Sequence, residues 1–371
     1  VVLAGWNGTR LWPISRQSFP KQFNKLDTLY WESLYQKSLK RALALVREED
    51  IYVVVGKENF FHAEVQAEEL WLNIKSENFI IQPAMKETLP IIALSLKHIW
   101  DEDVLFLPSD HIIEWLDEFK EKIELWLTKS RESMVIFWIK PDKPEIWYWY
   151  VEKEDKNKII SKVSKFYEKP NEEKAQEYIK KWYLWNSWIN LINTKLFIRI
   201  LWEFLPKIKE LIFDSNLSDT EIFEQINAIS LEKWLIEKLD NVYCIEIDNY
   251  WTDLWSFDAM AEYNEENNIK NKNLIEEWKC ENNFVLTENK KKEVCLIDLK
   301  NLVIVDSEDV LLISKKWSTQ KIKQALKKSK KITPNLEYRP WGSYKIVSEW
   351  NGFKTKVITI LPWKKLTTQM H

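Results

Sequence analysis

The chain has 371 residues carrying 54 Lys and Arg against 57 Asp and Glu, a formal net charge of -3, which excludes the basic footprint of a nucleic-acid or anionic-membrane binder. With 45% hydrophobic and 30% charged residues it is globular and long enough for two or three domains. No apolar run approaches the roughly 18 residues of a membrane span. Three scattered cysteines, Cys244, Cys280 and Cys295, exclude a disulfide framework and a Cys-rich zinc module and point to a reduced, cytoplasmic protein.

Residues 1–260 alternate short β-rich runs with amphipathic stretches. Buried strands are predicted at 1–4, 51–55, 79–82, 104–107, 134–139 and 242–247, with helices at 33–46, 64–72, 90–100 and 116–129. That order predicts an α/β domain on a mostly parallel sheet, with ligands at the carboxyl ends of its strands. Residues 261–293, rich in Asn, Glu and Lys, are predicted to be a linker or loop-rich entry. Runs at 294–299, 302–305 and 310–314 predict a small β region, 317–331 a Lys-rich helix, and 342–347 with 353–361 a second β pattern. The chain opens inside an apolar run without Met and stops just after a strand-like segment, as the edges of a gene fragment would; an opening strand is unlike a signal peptide.

The composition is abnormal in one respect. There are 5 Gly and 22 Trp, whereas a chain of this length carries about 26 Gly at the usual ~7%. Positive-φ turns and helix C-caps need glycine, and tryptophan cannot supply that backbone freedom. Most of these tryptophans are therefore expected to stand where the natural chain has glycine. A source that decodes UGA as glycine, with the written sequence reading UGA as tryptophan, would produce the pattern.

The first predicted strand leads into Leu3-Ala4-Gly5-Trp6-Asn7-Gly8-Thr9-Arg10-Leu11-Trp12-Pro13, followed by Pro20-Lys21-Gln22-Phe23. A Gly-rich loop after a strand lets backbone N–H groups approach phosphates, and Arg10 and Lys21 can neutralise them. Further along come Leu107-Pro108-Ser109-Asp110-His111, Pro144-Glu145-Ile146-Trp147-Tyr148-Trp149-Tyr150, Phe166-Tyr167-Glu168-Lys169-Pro170, Tyr183-Leu184-Trp185-Asn186-Ser187-Trp188 and Trp251-Thr252-Asp253-Leu254-Trp255. Together these motifs closely resemble those of the sugar-phosphate nucleotidyltransferases, in particular the mannose-1-phosphate guanylyltransferases, whose first motif reads LAGGxGTRLWPxSRxxxPKQF. The segment from Arg339-Pro340-Trp341-Gly342 to Gln369-Met370-His371 resembles the start of the cupin-type mannose-6-phosphate isomerase domain fused to many members.

The resemblance implies a Rossmann-like α/β nucleotidyltransferase domain over 1–265, a linker and small β-rich region over 266–332, and a truncated cupin β-domain over 333–371. His371 would be the first metal-ligand histidine of that cupin, its other ligands lying beyond the residues present, so isomerase activity is not expected of this stretch alone. The same likeness sorts the tryptophans. Trp12, Trp185, Trp251 and Trp341 stand where the family has tryptophan; Trp6, Trp138, Trp147, Trp149, Trp188, Trp255 and Trp363 stand where it has glycine.

The implied reaction joins GTP and α-D-mannose 1-phosphate to give GDP-mannose and pyrophosphate, with Mg2+ as cofactor and with no nucleic-acid or membrane partner; homo-oligomerisation is compatible with it. A phosphomonoester, with a second pKa of ~6, is already largely dianionic at neutral pH. No general base is needed, and no Ser/His/Asp or Cys/His constellation is visible. By resemblance, Arg10 and Lys21 act on the triphosphate, and Leu3, Ala4, Gly5, Gly8, Thr9 and Thr88 bind the nucleotide. Trp149, Glu168, Lys169 and Asn186 take the sugar phosphate, and Asp110 and Asp253 the metal.

Each assignment has a plainer reading: a turn or cap for Asp110 and Asp253, a surface pair for Glu168 and Lys169, a buried amide satisfying backbone for Asn186. The weakest match is 82–90, where Pro83, Thr88 and Pro90 agree with the family pattern EPxGRNTAP while Gln82, Met85, Lys86, Glu87 and Leu89 depart from it. Two other functions stay open: a nucleotidyltransferase for another hexose 1-phosphate, and a non-catalytic sugar-nucleotide-binding regulatory protein, which true tryptophans at 6 and 149 would favour.

Overall fold

The structure, a computed structural model, describes residues 1–6, 8–25, 32–114, 116–127, 131–233, 239–247, 250–269, 271, 273–289, 291–307, 309–326, 336–339, 341–362 and 364–365. The chain divides into two compact units. One comprises Val1–Trp6, Lys37–Phe60 and Ala67–Trp251; the other comprises Asn7–Gln36, Phe61–Gln66 and Thr252–His371.

The first unit is built on a nine-stranded sheet. Its strands are β1 (Val2–Leu3), β2 (Val53–Gly56), β3 (Phe79–Gln82), β4 (Asp103–Pro108), β5 (Met134–Ile139), β6 (Tyr150–Lys153), β7 (Ile160–Tyr167), β8 (Leu184–Asn193) and β9 (Val242–Ile247). They lie in the order β3-β2-β1-β4-β8-β5-β9-β7-β6, with β6 also pairing to β8. The six strands predicted from apolar runs all point one way, as does β6; β7 and β8 run against them. β5 is buried at every position, as a strand covered on both faces must be. On one face Ile136 and Trp138 join Phe106, Leu94, Phe197 and Leu201 in the core. On the other, Phe119 of helix Leu116–Trp126 meets Phe137 with ring centroids 5.5 Å apart.

Side-chain caps start three helices that the sequence reading did not include. Asn193 caps Thr194–Phe204 through Leu196 N–H, Asn171 caps Glu172–Lys180 through Lys174 N–H, and Ser218 with Glu221 forms a capping box on Asp219–Gln225. Strands β6, β7 and β8 were not predicted. β7 is only half-buried, and β8 buries Asn186, Ser187, Asn190 and Asn193, so neither presents an unbroken apolar run.

In the second unit the predicted linker at 261–293 is instead structured. Helix Phe257–Glu266 is capped by Ser256 through Ala259 N–H, and strands Leu274–Glu277 and Phe284–Thr287 follow. These strands pair parallel with Val294–Ile297 and Leu302–Asp306, and Leu311–Lys315 closes the latter sheet antiparallel. Exposed positions on these short strands carry the polar residues that make the segment look like a loop. The predicted helix at 317–331 is shorter: a 3-10 turn Thr319–Lys321 leads into Ile322–Leu326, and 327–331 lie outside the described residues. The antiparallel strands Leu336–Arg339, Gly342–Trp350 and Phe353–Ile360 form the last sheet. Among the described residues no helix is long and apolar enough to cross a membrane.

Candidate active site

In the first unit the loops leave the carboxyl ends of the parallel strands β1, β3 and β4. Leu3 and Ala4 are buried; Leu3 accepts from Ser109 N–H at 3.1 Å, and Ala4 N–H reaches the Val54 carbonyl at 2.8 Å. A methyl group at Gly5 would collide with the amide oxygen of Gln82, so the residue that departs from the family pattern lies against the first glycine of the loop. Asp110 follows β4 and is partly exposed, with its Oδ1 3.5 Å from His111 Nε2. Two residues not singled out in the sequence hold this turn. Ser38 Oγ donates to the Pro108 carbonyl at 3.1 Å, and Arg41 donates to Ser38 Oγ and to the His111 carbonyl, each at 3.3 Å. Burial pushes the Arg41 guanidinium down to about 10.

Trp149, just before β6, meets Asn186 of β8. Asn186 N–H donates to the Trp149 carbonyl at 3.0 Å, while its buried Oδ1 accepts from Trp188 N–H at 2.9 Å. Ser187 and Trp188 form a bulge here: Phe137 pairs with Ile189 but Trp138 pairs with Asn186. The Trp188 ring lies 6.0 Å from His111, 6.1 Å from Tyr148 and 6.5 Å from Trp251.

Glu168 forms an exposed pair with Lys233 at 3.2 Å. Lys169 has φ 33°, a conformation sparsely populated by non-glycine residues. In the segment 82–90, Thr88 opens helix Thr88–His98; its hydroxyl donates to Glu232 at 3.3 Å and accepts from Leu231 N–H at 2.8 Å. Desolvation raises the Glu232 carboxyl above its ordinary range. Lys86 donates to the Phe223 carbonyl. Lys86 and Thr88 thus hold helix Asp219–Gln225 and the following residues Ile226, Leu231 and Glu232.

The second unit carries the rest of the first motif. Thr9 and Arg10 lie in the 3-10 turn Thr9–Leu11, and Lys21 opens the turn Lys21–Phe23. A Cβ at Gly8 would stand 3.0 Å from Lys21 Cβ and 3.5 Å from its Cδ, so glycine lets the buried lysine stem pass. The Lys21 ammonium donates to the main-chain carbonyl of Asp253. Asp253 Oδ1 accepts from Trp255 N–H at 3.3 Å, and the Arg10 guanidinium lies 5.4 Å from the Trp255 ring. Leu254 between them has φ 40°.

The fold therefore brings Gly8, Lys21, Arg10 and Asp253 together in one unit, and Leu3, Ala4, Gly5, Asp110, Trp149 and Asn186 belong to the other. Trp363 and His371 lie outside the described residues. Among the described residues no three His, Cys, Asp or Glu side chains converge as a metal cage. A magnesium site does not require one, since Mg2+ takes one or two carboxylates and completes its shell with water and substrate phosphate. Asp110 in one unit and Asp253 in the other each offer hard carboxylate oxygens, the donor type that this ion prefers.

Residues 1–269 match the family described as nucleotidyl transferase, and residues 327–371 match the family described as mannose-6-phosphate isomerase C-terminal. An alginate biosynthesis protein AlgA of Pseudomonas syringae pv. tomato is 30% identical, over 100% of this chain and 81% of its own length. A mannose-1-phosphate guanylyltransferase of Klebsiella pneumoniae is 29% identical, over 100% of this chain and 83% of its own length. A crystal structure described as mannose-1-phosphate geranyltransferase from Thermus thermophilus shares the fold, with a TM-score of 0.75 at 22% identity, covering 88% of this chain and 97% of that one. The chain belongs to the nucleotidyl transferase family, and its residues 327–371 belong with the mannose-6-phosphate isomerase C-terminal family.

Proposed function

We propose that this chain transfers GMP from GTP to α-D-mannose 1-phosphate, giving GDP-mannose and pyrophosphate, in the cytoplasm. The observation that carries the reading is the grouping of Gly8, Lys21 and Asp253: a buried lysine threaded past a glycine turn, with its ammonium on the carbonyl of a carboxylate residue. The relatives named mannose-1-phosphate guanylyltransferase support the choice of substrates.

On this reading the sugar phosphate is its own nucleophile, so the protein positions two anions in line and neutralises them. Lys21 and Arg10 bear on the triphosphate. Backbone N–H groups at Gly5, Gly8 and Thr9 approach the phosphates, while Leu3, Ala4 and Thr88 border the nucleotide. Trp149, Glu168, Lys169 and Asn186 border the sugar phosphate. Asp110 and Asp253 would hold Mg2+, which when bound offsets the charge of the reacting phosphates.

Pyrophosphate release should require GTP, mannose 1-phosphate and Mg2+ together. Equal or faster release with dTTP and glucose 1-phosphate would move the assignment to another hexose phosphate. Tight nucleotide binding without any release would make the chain a regulatory binder.

A further inference from the structure

We infer that the natural chain carries glycine at Trp71, Trp182, Trp188, Trp278 and Trp317. Of these only Trp188 falls in a family motif; the other four are assigned by backbone conformation alone.

Thirteen described non-glycine residues have positive φ. Five are Asn or Asp (Asp101, Asn268, Asn282, Asp298 and Asn301), the residue types that tolerate the left-handed region. Three, Glu87, Lys169 and Leu254, lie in candidate-site segments. The remaining five are tryptophan, with φ between 55° and 65°. A bulky side chain there is an outlier, whereas glycine adopts the conformation without steric cost.

Around four of the five, the local motif calls for glycine on its own terms. Helix Phe60–Glu68 ends with Leu72 N–H on the Ala67 carbonyl at 3.1 Å and Trp71 N–H on the Glu68 carbonyl at 2.9 Å. Helix Glu172–Lys180 ends likewise, with Tyr183 N–H on Tyr178 at 3.0 Å and Trp182 N–H on Ile179 at 2.9 Å. Both are Schellman closures in which Trp71 and Trp182 occupy the left-handed C′ position, the usual place of glycine.

Trp317 is the third residue of a turn closed by Ser318 N–H on the Lys315 carbonyl at 3.1 Å, where positive φ selects glycine. Trp188 sits in the β8 bulge, another left-handed glycine site. Trp278 follows strand Leu274–Glu277 and is 86% exposed. Trp71, Trp182 and Trp317 are also well exposed, so their indoles gain little burial to offset the backbone strain. At 188, glycine would also clear the niche bounded by His111, Tyr148 and Trp251.

The test is independent of activity. Trypsin cutting after Lys181 and Lys195 releases one peptide containing Trp182, Trp185 and Trp188. From protein isolated from its source, that peptide should be lighter than written by two indole side chains. Fragment ions should put the losses at 182 and 188 and retain the indole at 185. The peptides 58–75, 273–279 and 317–321 should each be lighter by one. Full written mass in these peptides would overturn the inference. In recombinant protein, Trp71→Gly, Trp182→Gly, Trp278→Gly and Trp317→Gly should together raise the melting temperature; a fall would also overturn it.

Discussion

The Lys21 ammonium donates to the main-chain carbonyl of Asp253, across 232 residues of sequence. Its stem is buried against Gly8, so both ends of the side chain are fixed and the charge is held in one place. A preorganised cation stabilises developing phosphate charge without reorganising during reaction. Lys21→Met, which keeps the stem but removes the charge, should lower pyrophosphate release about 100-fold or more, the scale of losing one such electrostatic contact. Steady-state rates together with a melting curve check this: an unchanged rate would remove Lys21 from the triphosphate.

Arg16 stands in the same motif and is engaged by Asp309, Ser307 and Pro13. Its guanidinium forms a two-pronged ion pair with Asp309, with Nη1 2.8 Å from Oδ2, and donates to Ser307 at 3.3 Å and to the Pro13 carbonyl at 2.9 Å. Both side chains are mostly buried, so screening by water is limited. A double-mutant cycle with Arg16→Ala and Asp309→Ala, read by urea unfolding, should give a coupling of about 1–3 kcal/mol. Additive losses would make the pair an incidental contact.

Gly342 should be intolerant of alanine and Gly56 nearly indifferent to it. Gly342 has φ 147°, and a Cβ there would collide with the backbone carbonyl of Thr359 on the neighbouring strand. Gly56 has φ -68°, and nothing lies within 4 Å of a Cβ built on it. Gly342→Ala should disrupt the last sheet, read as lost protection of its amides in hydrogen exchange. Gly56→Ala should change stability by less than about 1 kcal/mol. Retained protection in Gly342→Ala would contradict the register of Gly342 against Ile360.

His62 predicts an acid sensitivity. Its ring is buried against Phe19 and Phe23, and Nε2–H donates to the Ser18 carbonyl at 2.9 Å. Burial pushes the imidazole down to about 4, outweighing the hydrogen bond that raises it. Because the folded pKa lies below the unfolded value of 6.5, the unfolded chain binds the extra proton between them. The stability contribution is complete above about pH 6.5 and is lost as pH falls towards 4, up to about 3 kcal/mol. His62→Gln should flatten the fall in urea-unfolding free energy between pH 7 and pH 4.5; an unaltered slope would assign it to other groups.

The sequence by itself determined the six parallel strands of the α/β domain, because strands buried on both faces need unbroken apolar runs that stand out from their surroundings. It also identified the phosphate-loop motif, the family likeness and the glycine deficit, all properties of residue type and spacing. The tertiary structure decided what depends on distant partners. β8 escaped notice because its buried asparagines are satisfied by backbone and cap contacts that no local pattern announces. Ser38 and Arg41 became visible as holders of the Asp110 turn only when helix Leu34–Leu43 was seen against the Pro108–His111 backbone. Composition could say that glycines were missing; only φ could say that they were missing at Trp71, Trp182, Trp278 and Trp317, because handedness of the backbone is a property of the folded turn.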